Sequence, residues 1–357
     1  MRTPEQPTVS PNPASKVKVG YALIPICIGL AVVGYMLGRE FNPEAFAQIQ
    51  LTWSSALWVL AALLLMLGRD LGYTLRLMTL SGGKIPFGRA FRVIMLWEFT
   101  SAITPSAVGG TSVAVVYVNK EGLSVGESSA VVMATSFLDE LYFVLVFPIM
   151  LLLVGQARLF GVDSALAHEL MLFCWIGYSV KLGWTLLMAY GLFINPQGLS
   201  WLIAKIFQLP LLRRWQAGAH RAGNDIVLSS GEFRSKPFTF WLKAFGSTAF
   251  SWTSRFGVVN ALLLAFFAVG EHLVIFARQL NMWIIMLVSP TPGGSGFAEY
   301  VFKQYLSEFI PLDALAAGGV ATAFALLWRM VSYYPYLFIG AVLFPRWVSQ
   351  KFGSRRR

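Results

Sequence analysis

Thr104-Pro105-Ser106-Ala107-Val108-Gly109-Gly110-Thr111 and Ser289-Pro290-Thr291-Pro292-Gly293-Gly294-Ser295 interrupt otherwise apolar segments in the two halves of a 357-residue chain. Proline removes a backbone donor and biases the preceding residue away from the helix, and paired glycine admits turns closed to other residues. Each motif therefore reads as a helix break. In hydrocarbon an unpaired N–H or C=O costs several kcal/mol, so a break at membrane depth survives only where protein or a water-filled cavity covers it. A matching pair of breaks in two halves is the pattern expected of a transporter with internal repeats.

Composition puts these breaks in a membrane. Hydrophobic residues make up 56% of the chain and charged residues 13%, with a mean hydropathy of +0.63, which excludes an ordinary soluble protein. Apolar stretches at 19–38, 54–80, 126–155, 168–193, 238–270 and 314–345 each supply the roughly 20 helical residues that cross a hydrocarbon core. The expected fold is all-α and polytopic, with about six full spans. Two further apolar stretches, 86–104 and 273–289, run into the motifs. They read as arms of re-entrant hairpins, with full spans as the alternative.

The formal charge of +11 reports topology and not nucleic acid, because the surplus lies where the positive-inside rule puts it. Lys16 and Lys18 precede the first span, Lys84, Arg89 and Arg92 follow the second, and Arg346, Lys351 and Arg355 to Arg357 follow the last. The link 199–237 is also rich in Lys and Arg, while 39–53, 156–167 and 306–313 carry no such surplus. Both termini are expected in the cytoplasm, in the cell (inner) membrane. The proline-rich segment 1–15 reads as a disordered tail, 16–345 as one transmembrane domain, 199–237 as a cytoplasmic amphipathic link and 346–357 as a basic tail. Segment 19–38 is too long, and lacks the cleavage site, for a signal peptide. Cys27 and Cys174 lie in apolar segments and read as buried thiols. His168, His220 and His272 have no metal-ligand spacing, and no catalytic, cofactor or metal motif is present.

Segments 54–80 and 238–270 each begin 55 residues before the first glycine of their motif, at 109 and 293. Each also carries an arginine at a similar offset, Arg69 lying 40 residues before Gly109 and Arg255 lying 38 before Gly293. A long charged segment follows each motif, with Asp139 and Glu140 in one and Arg329 in the other. Two units, 54–155 and 238–345, thus share the order span, hairpin, span. With the charge-derived topology their hairpins enter from opposite leaflets, an inverted-topology repeat with both tips near the midplane. Helices starting at Thr111 and Ser295 would aim free N–H groups and positive dipole ends at those tips.

Intramembrane charges are costly and so face the bundle interior. Arg329 reads as a head-group ligand or as an ion-pair partner of Asp139 or Glu140. Arg255 has the same two readings, whereas Arg69 with adjacent Asp70 leans to a structural pair. Glu98 and Glu299, one on each hairpin, are candidate charge-balancing or proton-carrying groups, with capping of a helix N-terminus as the plain alternative for Glu299. Tyr333, Tyr334 and Tyr336 read as an interfacial belt rather than a head-group path. Ala316, Ala317, Gly318, Gly319 and Ala321 form a small-residue surface for packing within or between protomers, so a homo-oligomer is admitted.

The first motif, the stretch Pro290-Thr291-Pro292-Gly293-Gly294-Ser295-Gly296 followed by Glu299, and the Arg329 segment running into Tyr333-Tyr334-Pro335 carry a resemblance. Across roughly 16–345 the chain resembles the flippase-like membrane family typified by the transmembrane domain of lysylphosphatidylglycerol synthase. The resemblance implies movement of a lipid between leaflets, of aminoacylated phospholipids or other modified lipids. The chain ends without the soluble aminoacyl-transferase domain of the bifunctional synthases, so it is expected to transport and not to transfer lysine. The leading expectation is a lipid flippase or scramblase moving an anionic or modified lipid. Its substrate site draws on Arg255, Arg329, Thr104, Pro105, Gly109, Gly110, Thr111, Pro292, Gly293, Gly294 and Ser295, and Glu98, Asp139, Glu140 and Glu299 balance the charge. A small-solute or ion transporter of the same architecture is the alternative. A membrane enzyme, or an accessory to a lipid-modifying enzyme as partner, is the third reading.

Overall fold

The computed structural model describes residues 52–104, 107–160, 165–208, 233–286, 296–310 and 314–352, with a few single positions between them. Among the described residues all regular structure is helical. In chain order the helices are α1 (Trp53–Leu80), α2 (Phe87–Ile103), α3 (Ala107–Lys120), α4 (Val125–Val154), α5 (Gln156–Phe160), α6 (Ala165–Ala189), α7 (Pro196–Ile206), α8 (Phe238–Phe266), α9 (His272–Ile285), α10 (Phe297–Leu306), α11 (Ala314–Ser332) and α12 (Tyr334–Phe352). A wide π turn, Tyr190–Ile194, extends α6.

Helix boundaries follow local chemistry. Thr52 caps α1 by accepting from the Ser55 N–H, and Ser124 with Glu127 forms a capping box at the start of α4. Pro86 and Pro237 occupy the N-cap positions of α2 and α8, where a missing N–H costs nothing. Pro335 lies just past the kink at Tyr333, which divides the stretch expected as one span into α11 and α12.

Five helical stretches are long and apolar enough to cross a membrane: Trp53–Leu80, Val125–Val154, Met171–Ile194, Phe238–Phe266 and Gly319–Lys351, the last combining most of α11 and α12. They coincide with five of the six expected spans; the sixth, 19–38, lies outside the described residues. Burial is inverted relative to a soluble protein. On α1, Leu57, Leu60, Leu64, Leu67, Leu71 and Leu75 are exposed in a stripe at three- and four-residue steps, while Arg69, Asp70, Thr74 and Arg76 are buried. Such a stripe suits lipid, because lipid tails are as apolar as leucine. The chain is an integral membrane protein.

Helices α1 and α8, which open the two units expected from the sequence, share the most extensive interface among the described helices. Small residues bring them together: a methyl group on Gly72 would lie 2.8 Å from the Ser247 carbonyl oxygen and 2.9 Å from Ser251 Cβ. Around this axis the outer segments are exchanged. Helix α4 of the first unit packs on α9 of the second, and α12 of the second packs on α2 of the first. Phe99 and Phe344 meet at 5.8 Å between centroids in the latter contact, and a Cβ on Gly340 would overlap the Phe99 side chain.

The two motifs break helices by different means. In the first, α2 ends at Ile103 and α3 resumes at Ala107, so Gly109 and Gly110 lie inside a helix and the expected start at Thr111 is four residues late. Gly110 serves packing, since a Cβ there would fall 2.1 Å from Ser101 Oγ on the opposing arm. In the second, Gly294 and Gly296 take φ of +69° and +84°, a region that favours glycine, and α10 starts at Phe297, two residues after Ser295.

Candidate functional site

Arg69, Tyr73 and Arg76 recur at i, i+4 and i+7 on α1 and therefore share one inward face. Arg69 is enclosed: Nη1 donates to Asp70 Oδ1 at 2.9 Å, and Nη2 lies 2.5 Å from Glu98 Oε2 on α2. Tyr336 of α12 donates to both oxygens of Asp70, at 2.8 and 3.0 Å. The rings of Tyr73 and Tyr336 lie 4.7 and 4.9 Å from the guanidinium carbon, within cation–π range. Two turns along, Arg76 grips Asp139 of α4 through Nη1 at 2.5 Å and Nη2 at 3.3 Å, and also donates to Thr248 of α8. Trp252 Nε1 donates to the same Asp139 at 2.8 Å.

Arg255 completes this centre from α8 by other means. Its guanidinium carbon sits 4.3 Å from the Trp283 ring of α9 and 5.4 Å from the Trp252 ring, and no carboxylate of a described residue forms an ion pair with it. Glu98, Arg69, Tyr73 and Tyr336 lie within its electrostatic reach. Glu98 and Asp139 keep 25% and 26% of their side-chain surface open. The centre is thus a walled polar site with carboxylates at its margin, near the ends of the hairpin arms α2 and α9.

Arg329 is held elsewhere. Its Nε donates to Glu299 Oε1 at 2.9 Å, with both side chains almost fully buried, and its guanidinium carbon lies 4.1 Å from the Tyr333 ring. The partner is Glu299 and neither Asp139 nor Glu140. The other oxygen of Glu299 accepts the Gly296 N–H at 2.7 Å, so the chain's own carboxylate serves the N-terminus of α10, where a free anion was expected. Glu140 is paired instead with Lys181 of α6 at 2.7 Å.

The tyrosines after Arg329 are not a belt. Tyr333, Tyr334 and Tyr336 are all buried, and Tyr333 donates to the Ala102 carbonyl at 3.0 Å, joining the kink after α11 to the first hairpin. The Tyr333 and Tyr336 hydroxyls serve buried acceptors in the bundle, the Tyr334 hydroxyl is buried without a partner among the described residues, and all three rings are thereby removed from the head-group level. Thr104 closes α2 by donating its hydroxyl to the Thr100 carbonyl at 2.8 Å, and Thr111 lies within α3. Pro105, Pro292, Gly293 and Ser295 lie outside the described residues. Of the small-residue surface, Gly319 and Ala321 are buried inside the chain. Cys174 is a buried free thiol, and Cys27 lies outside the described residues. Among the described residues no group of three or more His, Cys, Asp or Glu could hold a metal ion.

Sequence reasoning missed Arg76, Lys181, Tyr73, Trp252 and Trp283. The i, i+4, i+7 step from Arg69 marks Tyr73 and Arg76, and Lys181 is a lone charge in an apolar segment; both signals were readable. Also missed was a groove of about 290 Å³ formed by Phe137, Leu138 and Leu141 of α4, Phe193 of the π turn, and Phe238, Trp241, Leu242 and Phe245 of α8. Phe245 also packs against the cluster containing Tyr142 and Trp252, so the apolar groove adjoins the charged centre. On α8, Trp241, Phe245, Thr248, Trp252 and Arg255 follow alternating four- and three-residue steps, one continuous face.

Comparison with known proteins agrees with this architecture. Residues 19–340 match the family model described as the lysylphosphatidylglycerol synthase TM region. A UPF0104 membrane protein of Archaeoglobus fulgidus is 28% identical over 312 residues, covering 83% of this chain and 90% of that protein. With its helical bundle, interrupted hairpins and a family match over most of its length, the chain belongs to the lysylphosphatidylglycerol synthase transmembrane-region family.

Proposed function

We propose that this protein moves an anionic or otherwise modified membrane lipid between leaflets, as a flippase or scramblase. The observation that carries this reading is the continuity, along one face of α8, between a groove lined by Phe, Leu and Trp side chains and a buried charged centre. A lipid has that division: a chain that seeks Phe and Leu surfaces, and a head group that needs buried polar partners. The acyl chain lies in the groove and the head group meets Arg255, whose charge is cushioned by tryptophan rings and not committed to a carboxylate of any described residue. Arg329 holds the second hairpin through Glu299.

The hairpins are re-entrant in this reading. Arms of 17, 14, 14 and 10 residues give helices of roughly 26, 21, 21 and 15 Å at about 1.5 Å per residue, short of a core of about 30 Å. They enter from opposite leaflets in an inverted repeat, with both termini in the cytoplasm of a cell whose inner membrane holds the protein. Rocking of the two units about the α1–α8 axis exposes the centre to each leaflet in turn.

The test is leaflet exchange of labelled lipids in proteoliposomes, with wild type, Arg255→Ala and a groove-filling Leu141→Trp at equal reconstitution. The expected result is exchange well above empty liposomes, reduced at least tenfold in both variants while they remain monodisperse. Absence of exchange for every lipid, with and without a proton gradient, overturns the proposal. Exchange unaffected by Leu141→Trp removes the groove from it.

A further inference from the structure

We infer that the centre takes a lipid head group carrying both a phosphate and an ammonium, and discriminates against head groups with net negative charge; the inference rests on the lipid-site reading above and narrows it to lipids that are not net anions. Its basis is the charge layout. Arg69, Arg76 and Arg255 face Asp70, Glu98 and Asp139, so among the described residues the formal charges of the centre cancel. The neighbouring buried pairs Lys181–Glu140 and Arg329–Glu299 cancel as well. A net anion entering this region leaves one charge uncompensated in a low-dielectric setting, where such a charge is strongly disfavoured. A head group of zero net charge adds none.

Cancellation is global and not local. Arg69 touches two carboxylates, Asp70 and Glu98, whereas Arg76 and Asp139 satisfy one another. Negative charge is therefore in excess beside Arg69. Arg255 stacks on Trp283 and Trp252 without an ion pair among the described residues, so positive charge is in excess there. The centre is a fixed dipole running from Glu98 on α2 to Arg255 on α8. Glu98, with a quarter of its side chain open, can accept hydrogen bonds from an ammonium, and Arg255 can donate to a phosphate. Because Arg255 already occupies the tryptophan faces, the cationic end of the head group is directed to the carboxylate and not to an aromatic cage.

The experiment measures binding separately from transport. Full-length protein in detergent is titrated with dioleoyl phosphatidylethanolamine, its N-acetylated derivative, which has lost the ammonium charge, and dioleoyl phosphatidylglycerol, with bound lipid read by native mass spectrometry. Phosphatidylethanolamine is expected to bind at least tenfold tighter than either anionic lipid. Glu98→Gln, which leaves the centre one positive charge in excess, is expected to reverse that order; should it not yield monodisperse protein, Arg255→Gln replaces it and is expected to weaken all phosphate-bearing lipids and the anionic ones most. Equal or tighter binding of the anionic lipids to the wild type overturns the inference, as does an order unchanged by Glu98→Gln or, where Arg255→Gln replaces it, a preference for phosphatidylethanolamine that does not widen. The same preparations are then assayed for leaflet exchange. Selective binding without exchange upholds the head-group assignment and overturns transport, whereas equal exchange of all three lipids upholds transport and overturns the head-group assignment.

Discussion

Arg69 and Arg255 occupy comparable places on α1 and α8, the helices that open the two units read from the sequence, yet their surroundings differ in kind. Arg69 is closed in by Asp70, Glu98, Tyr73 and Tyr336. Arg255 is flanked by Trp252 and Trp283 and keeps part of its surface open. A buried guanidinium with carboxylates at hydrogen-bond distance is a structural tie, because removing it strands charges that cannot be hydrated. A guanidinium on aromatic faces gains less from its site and can exchange those contacts for a ligand's. On the proposed reading, one arginine holds helices together and the other is available to a ligand.

Breaking the comparison at Arg69 is expected to have the largest effect. Arg69→Ala leaves Asp70 and Glu98 without their cation and should cost about 3–5 kcal/mol, seen as loss of monodisperse protein or a steep drop in thermal midpoint in detergent. Arg329→Ala strands Glu299 in the same way but leaves that carboxylate its bond from the Gly296 N–H, so about 2–3 kcal/mol is expected in the same melt. Gly72→Ala drives a methyl group into Ser247 and Ser251 and should cost roughly 1–3 kcal/mol by overpacking the α1–α8 axis. Tyr336→Phe removes one hydroxyl donor from Asp70, a loss of about 1–2 kcal/mol. Arg255→Ala sits at the other end: less than about 1 kcal/mol of stability is lost, while leaflet exchange falls at least tenfold. A melt of Arg255→Ala as depressed as that of Arg69→Ala would erase the distinction between tie and ligand.

The span pattern and the helix breaks were legible because they rest on local facts: runs of about 20 apolar residues, and proline with glycine at fixed places. Arg69 with Asp70 was legible for the same reason, as neighbours in sequence. The partners of Asp139, Glu140 and Arg329 were not, because they lie 63, 41 and 30 residues away and any inward-facing charge in the bundle competes for them. The burial of Tyr333 and Tyr336 was misread since a tyrosine near a helix end looks alike at an interface and in a core until its hydroxyl partner is known. The two glycine pairs show the limit of motif reading. Similar letters produce a positive-φ turn in one hairpin and a close helix crossing in the other, a difference set by the facing chain.

The exchange of outer segments bears on biosynthesis. Helix α2 finds its neighbour α12 only after more than two hundred further residues have left the ribosome, so the first hairpin must wait in the bilayer with Glu98 and Phe99 lacking their final enclosure. Tyr336 reaches Asp70 across 266 residues, and Tyr333 reaches Ala102 across 231. Helix α12 therefore closes helices inserted well before it, and a chain stopped before α12 leaves α1 and α2 unsealed and open to quality control.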